Sequence, residues 1–265
     1  MIALTRAHRL LTTAHLELTK RCNLHCYHCY VAGSGEELDA DRWLRLVDEL
    51  EMAGCLRVTL TGGEIGLRSD WLVIAERVKQ RRMALSVLTN GTLLTATDIE
   101  RLAGLRPLAV AVSIYGGSRD AHERVTGVPG SFDLSLATIS ALRGHDVPCR
   151  VSCTLMPDTF AEFRRIVDLA SALDCEYMFD PTVVPRSDGN DSVVKYRLSA
   201  DKVQEFFLDE RIMGKSREGR AVRIPGDLPE RVPGNCSAGI TSVTVEANGD
   251  VFRGPARHQD IQRTG

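Results

Sequence analysis

Six short apolar runs, each followed by a stretch of helical periodicity, constrain the fold of this chain more than any other feature. The runs cover residues 14–18, 56–60, 84–88, 108–113, 147–155 and 176–180. Between them, Trp43, Leu46, Val47 and Leu50 recur at the i, i+3, i+4, i+7 spacing of one helix face, as do Phe163, Ile166, Val167 and Ala170. Phe132, Leu136, Ile139 and Leu142 mark another helix, with Ser131 expected as its N-cap. Leu72, Ala75 and Val78 predict a helix after Asp70, residues 95–105 a short one, and Val203, Phe206 and Phe207 a last one behind Ser199. Strands alternating with helices argue for a parallel sheet wrapped by helices, an α/β fold. Right-handed crossovers would curl such a sheet into a partial barrel, with its chemistry at the C-terminal strand ends.

Directly after the first run stands Cys22-Asn23-Leu24-His25-Cys26-Tyr27-His28-Cys29. Three thiolates can hold three irons of a 4Fe–4S cluster, where a fully protein-ligated cluster takes four cysteines. The fourth iron then stays open to a small molecule. Cys26 and Cys29, beside His25 and His28, also fit half of a zinc site, although no second close Cys/His pair completes it. After the second run comes Thr61-Gly62-Gly63-Glu64-Ile65. Two adjacent glycines allow close backbone approach to a ligand. The same residues also read as a strand-to-helix turn.

The CxxxCxxC spacing followed by GGE resembles the radical S-adenosylmethionine (SAM) enzymes. More narrowly, the chain resembles their SPASM/Twitch-type, peptide-modifying branch. The resemblance implies an open (β/α)6 barrel over residues 14–212. It implies a 4Fe–4S cluster on Cys22, Cys26 and Cys29, with SAM on the open iron. One electron from the cluster then cleaves SAM to a 5′-deoxyadenosyl radical that abstracts hydrogen. It further implies that Gly62, Gly63 and Glu64 receive the methionyl ammonium, and that Tyr27 and His28 belong to the cofactor site. Ser113, at the end of the fourth run, is expected to contact the SAM carboxylate or ribose. Arg124, in His122-Glu123-Arg124-Val125-Thr126-Gly127, is expected at the carboxylate, which guanidinium binds through two parallel hydrogen bonds. A strand-end turn and a solvated surface arginine are the plain structural readings of these two residues. Asp180 closes the sixth run and is a candidate acid or base on the substrate side, or an ordinary turn residue before Pro181. Thr89-Asn90-Gly91 reads as turn chemistry, and Cys55, Cys149, Cys153 and Cys175 as packed core thiols.

Residues 213–235 are rich in Gly, Pro and charge and read as a linker. Cys236-Ser237-Ala238-Gly239 and two strand-like runs around Asn248-Gly249 follow, a β-hairpin pattern. This resembles the opening of a SPASM or Twitch module, in which further cysteines would hold auxiliary clusters. Here Arg253-Gly254 stands where the next cysteine is expected. One cysteine cannot hold an ordinary cluster, so the expected reading is a hairpin fragment over 236–265 with no auxiliary cluster.

The formal net charge of −2 gives no electrostatic reason to expect nucleic acid, and no apolar run reaches membrane-span length. The first 13 residues lack a signal-peptide core and leave no room before the first strand for a leader-binding domain. The expectation is therefore a cytoplasmic enzyme acting on a ribosomally made peptide by cross-linking, epimerisation or oxidation. An external one-electron reductant, and a separate protein that binds the peptide's leader, would be its partners. The alternatives are a small-molecule radical SAM oxidoreductase or cofactor-biosynthesis enzyme, and a non-catalytic iron–sulfur or zinc protein.

Overall fold

A computed structural model describes residues 10–32, 35–212 and 241–252. Cys236, Gly239 and the linker 213–235 lie outside the described residues. The six expected strands are β1 (Thr13–Glu17), β2 (Arg57–Thr61), β3 (Ala84–Thr89), β4 (Ala109–Ser113), β5 (Cys149–Thr154) and β6 (Glu176–Asp180). The helices are α1 (Ala40–Met52), α2 (Trp71–Gln80), α3 (Ala96–Gly104), α4 (Arg119–Thr126), α5 (Ser131–Gly144), α6 (Pro157–Ala172) and α7 (Ala200–Leu208). No helix among the described residues is long and apolar enough to cross a membrane.

Adjacent strands from β1 to β6 pair in parallel, in chain order. One face of each strand from β1 to β5 is apolar and buried, while β6, at the sheet edge, is only half-buried on its Tyr177 and Phe179 face. Leu16, Leu60, Leu85, Val87, Val110, Val112 and Val151 pack against Trp43, Val47, Ile74, Val78, Leu102, Ile139 and Ile166. Burying such a side chain contributes about 1.5–3 kcal/mol, which makes this layer the main source of stability. The opposite strand face carries His15, Glu17, Thr59, Ser86, Ser113 and Ser152.

Local signals set most of the helix starts. Asp39 caps α1 through the Arg42 N–H, Thr95 and Asp98 form a reciprocal capping box on α3, and Ser199 caps α7. Two expectations need correction. Ser131 is the first residue of α5 rather than its cap. The cap is Gly130, at φ 83°, and the Ser131 hydroxyl pairs with Thr126 Oγ1 at 2.8 Å. Helix α4 was absent from the periodicity. It is eight residues long and mostly polar, with Ala121 and Val125 as its apolar pair, so no 3.6-residue pattern has room to repeat.

The C-terminal hairpin extends the same sheet. β7 (Ser242–Val245) pairs in parallel with β1, and β8 (Val251–Phe252) returns antiparallel. Gly249, at φ 91°, makes the turn that the Asn-Gly pair predicted, and its N–H donates to the Glu246 carbonyl. Strand order is β6-β5-β4-β3-β2-β1-β7-β8.

Candidate active site

The β1 and β2 ladders continue past their last residues into the two motif loops. Leu18 N–H donates to Thr61 O, Gly63 N–H to Thr19 O and Glu64 N–H to Arg21 O, at 2.8, 2.7 and 2.8 Å. Gly62 sits at φ 140°, and a Cβ there would stand 2.5 Å from the Thr19 oxygen. A Cβ on Gly63 would overlap the Arg21 carbonyl. What the paired glycines approach within the chain is thus the backbone that leads into Cys22.

That backbone is fastened from below. Arg68, buried, donates to the Leu18 and Leu38 carbonyls at 3.0 Å each and grips Asp70 with two hydrogen bonds. The cysteine loop then runs across the strand ends. His25 N–H donates to the Thr126 carbonyl at the end of α4, and the Tyr30 hydroxyl donates to Glu17 Oε1 at 2.6 Å. Ser187, in the loop after β6, donates its N–H to Tyr30 O and accepts from Ala32 N–H. Both ends of the loop and its middle are therefore held by separate strands and helices.

Cys22 is exposed, Cys26 and Cys29 are half-buried, and all three are free thiols. Burial raises all three thiols. Cys26 is pushed up to about 12, with the negative charge of Cys29 and Cys22 adding to the burial. The three sulfurs lie near enough to repel one another as thiolates, which a bound cationic core would reverse. Among the described residues no three His, Cys, Asp or Glu side chains converge tightly enough for a single metal ion. The donor set of three free thiols on one anchored loop suits a multi-iron cluster.

Glu64 is completely buried. Its Oε1 accepts from Thr89 Oγ1 at 2.6 Å and Gly66 N–H at 3.0 Å, and its Oε2 accepts from Asn90 N–H at 2.6 Å. Burial pushes its carboxyl up, while these three donors oppose the rise. The carboxylate joins the end of β2 to the end of β3.

Ser113 ends β4 half-buried. Tyr115, two residues on, has its phenol pushed well up by burial and by the nearby Cys26, with a Ser113 hydrogen bond opposing. Ser113 and the cysteine loop therefore meet around Tyr115. His28 packs edge-on against Tyr115 at 4.9 Å, and burial lowers its imidazole to about 4. Tyr27 packs on Tyr196 at 4.4 Å and donates to Asp158 Oδ2 at 2.9 Å. Arg124 is exposed on α4, makes no ion pair among the described residues, and lies close enough for its charge to reach Tyr27. Asp180 is exposed, and its Oδ1 accepts from Thr182 N–H at 2.8 Å, the turn chemistry of an Asp before Pro.

The structure thus brings Cys22, Cys26, Cys29, Tyr27, His28, Ser113 and the GGE turn to one end of the sheet. Arg124 stands at the rim, and Asp180 at the edge strand. Two neighbours of the site escaped the sequence reading. Asn90 reaches Cys22 Sγ at 3.9 Å, and the Arg186 guanidinium lies close enough to Cys29 to lower its thiol against the effect of burial. Asn90 had a signal, the Thr-Asn-Gly strand end. Arg186 had none, because only the fold of the loop after β6 brings it near.

Residues 16–170 match the pattern of the Radical SAM superfamily. The chain belongs to that superfamily. Its members use a 4Fe–4S cluster and SAM. Among curated relatives, the AdoMet-dependent heme synthase of Methanosarcina barkeri (strain Fusaro / DSM 804) is 33% identical over 213 residues, covering 79% of this chain and 60% of that protein. The antilisterial bacteriocin subtilosin biosynthesis protein AlbA of Bacillus subtilis (strain 168) is 27% identical over 242 residues, covering 90% of this chain and 53% of that protein. Streptococcus suis SuiB bound to the precursor peptide SuiA superposes with a TM-score of 0.73 at 15% identity, over 96% of this chain and 62% of that one. At that identity the likeness establishes the fold, an open radical SAM barrel with an added strand pair. The chain spans just over half of the length of these two curated relatives.

Proposed function

We propose that the chain is a radical SAM enzyme that modifies a ribosomally made peptide at an unreactive C–H bond. Residues 14–212 form its barrel, 213–235 a linker and 236–265 a SPASM-like piece. Cys22, Cys26 and Cys29 hold a 4Fe–4S cluster. Gly62, Gly63, Ser113 and Arg124 receive SAM at the neighbouring strand ends, with Tyr27 and His28 walling the loop. When bound, the reduced cluster supplies the electron that cleaves SAM to a 5′-deoxyadenosyl radical.

The observation that carries this reading is the placement of three free thiols on one loop, a two-glycine turn and a strand-end serine at the same end of a parallel sheet. The chain's own part in the chemistry follows from that geometry. The glycines bring the β2 end against the cysteine loop and so fix where the cluster sits. Arg124, at the rim and without an ion pair among the described residues, is the group assigned to meet a carboxylate. His28, half-buried, and His122, buried, both stand beside Tyr115, and burial lowers each imidazole to about 4, so neither adds charge there near neutral pH. Asp180, exposed with its second oxygen unpaired among the described residues, is the acid or base assigned to the substrate side. The peptide assignment is supported by the names of AlbA and of SuiB with its precursor peptide. An external one-electron reductant, a leader-binding partner and a cytoplasmic setting complete the proposal.

The heme synthase relative favours a second reading, in which the substrate is a small molecule such as a tetrapyrrole. One assay separates the two. The anaerobically reconstituted chain receives reductant and SAM, with either a short precursor peptide encoded beside it or a porphyrin precursor. Peptide-stimulated 5′-deoxyadenosine and a changed peptide mass support the first reading. Turnover of the porphyrin precursor alone overturns it.

A further inference from the structure

We infer that Asn90 is a positioning residue for the cluster: its side-chain amide donates to Cys22 Sγ, and Glu64 holds it there. The inference rests on the proposed role of Cys22 as a cluster ligand. It goes beyond that role by assigning the Thr-Asn-Gly strand end, and the Glu of GGE, to the cluster side of the site.

Asn90 directly follows β3 and is almost fully buried. Its backbone N–H donates to Glu64 Oε2 at 2.6 Å, and its carbonyl accepts from the Ser135 hydroxyl on α5 at 2.6 Å. The main chain is thus clamped on both sides. The side chain is fixed as well. Its Oδ1 accepts from Thr92 N–H at 2.8 Å and from Thr92 Oγ1 at 2.7 Å. A backbone N–H only donates, so the atom facing it must be the amide oxygen. That choice turns the NH2 group the other way. Its nitrogen lies 2.9 Å from Asn23 Oδ1 and 3.9 Å from Cys22 Sγ. Asn23 closes the ring by donating from Nδ2 to Thr92 Oγ1 at 2.7 Å. Every polar atom of the ring has a partner of the correct sense, which leaves no alternative rotation for the Asn90 amide.

Two consequences follow. Leu24 N–H also points at Cys22 Sγ, at 3.4 Å, so this sulfur receives two N–H groups. Hydrogen bonds to the ligating sulfurs are among the levers that set a cluster's reduction potential, because they stabilise the added negative charge of the reduced form. Second, the buried Glu64 carboxylate spends its three acceptor contacts on Thr89, Gly66 and Asn90, and so acts through the β3 end.

The test uses the full chain, reconstituted anaerobically with iron and sulfide, and a redox titration of the cluster followed by electron paramagnetic resonance. Asn90→Ala should take up the same iron as the unmutated chain but be about tenfold harder to reduce, about 59 mV more negative for one electron. Asn23→Ala removes the acceptor of one amide hydrogen but leaves the other hydrogen on Cys22, with Thr92 still holding the amide oxygen, so its potential should stay close to that of the unmutated chain. A merely structural ring would move the potential alike in both variants. An unchanged potential in Asn90→Ala overturns the inference. If Asn90→Ala takes up no iron, Asn90→Ser decides, because its shorter side chain stays polar but falls short of Cys22: a more negative potential sustains the inference, and an unchanged or positive one overturns it. The underlying reading has its own control. If Cys22→Ala reconstitutes with full iron and unaltered absorbance, Cys22 is no ligand, and the assignment of the site fails before Asn90 is in question.

Discussion

Gly63 and Arg21 pack backbone against backbone, so closely that a Cβ on Gly63 would overlap the Arg21 carbonyl. Replacing Gly63 by Ala forces the two loops apart at the entry to Cys22. Overpacking costs typically about 1–3 kcal/mol, and a backbone overlap belongs at the upper end. Gly63→Ala should lower the thermal midpoint and lose most of its iron on reconstitution. Gly104→Ala, where a Cβ meets nothing within 4 Å, should lower neither.

His122 is fully buried. Its Nδ1 accepts from Tyr115 N–H at 3.2 Å, its Nε2 has no partner among the described residues, and burial lowers its imidazole from 6.5 to about 4. The folded state thus favours the neutral ring. The stability this contributes is complete above pH 6.5 and is lost as pH falls from there through about 4, by about 3 kcal/mol in all. Denaturant titrations between pH 7 and 4 should show that loss. His122→Phe should flatten the curve over the same window. An equal slope in both proteins would rule out His122 as its source.

Much of this was legible in the residues. The strand expectations at 84–88 and 176–180 fall within a residue of β3 and β6, because apolar runs bounded by turn residues leave little latitude. The three cysteines and the glycine pair were visible for the same reason: few residue types can do what they do. The pairing of β7 with β1 was not visible. It joins residues more than 200 positions apart, and short strands carry no mark of their partner. Nor was the inward turn of Glu64, since the sequence shows a carboxylate but not the Thr89 hydroxyl and Asn90 N–H that meet it.

Glu246, buried beyond β7, pairs with Lys20 at 3.0 Å, two residues before Cys22. The pair ties the added strand to the entry of the cysteine loop. Glu246→Gln leaves Lys20 without its charge partner, and breaking such a pair costs about 3–5 kcal/mol when both groups are buried. Lys20 keeps some solvent contact, so the loss should sit at the low end. Hydrogen exchange should speed up across Ser242–Val245 in this variant and leave β4 and β5 unchanged.

Ser113 and Glu64 should separate cleanly. Ser113→Ala and Arg124→Ala should each weaken SAM binding, by about 10- to 100-fold for one hydrogen bond to a charged group, with iron content intact. Glu64→Ala should instead lower stability and iron uptake together, because it removes an acceptor from three internal donors. Isothermal titration with SAM beside iron analysis reads both. Unchanged SAM affinity in Ser113→Ala and Arg124→Ala would contradict the placement of the cofactor.

The central claim is that Cys22, Cys26 and Cys29 together hold the cluster that cleaves SAM. The most direct measurement is iron content and 5′-deoxyadenosine formation, on the same anaerobic preparations, for the unmutated chain and the triple Cys→Ala variant. The account predicts about four irons per chain from this loop and reductive release of 5′-deoxyadenosine in the first, with both lost in the second. A triple variant that keeps its iron and still cleaves SAM would contradict it.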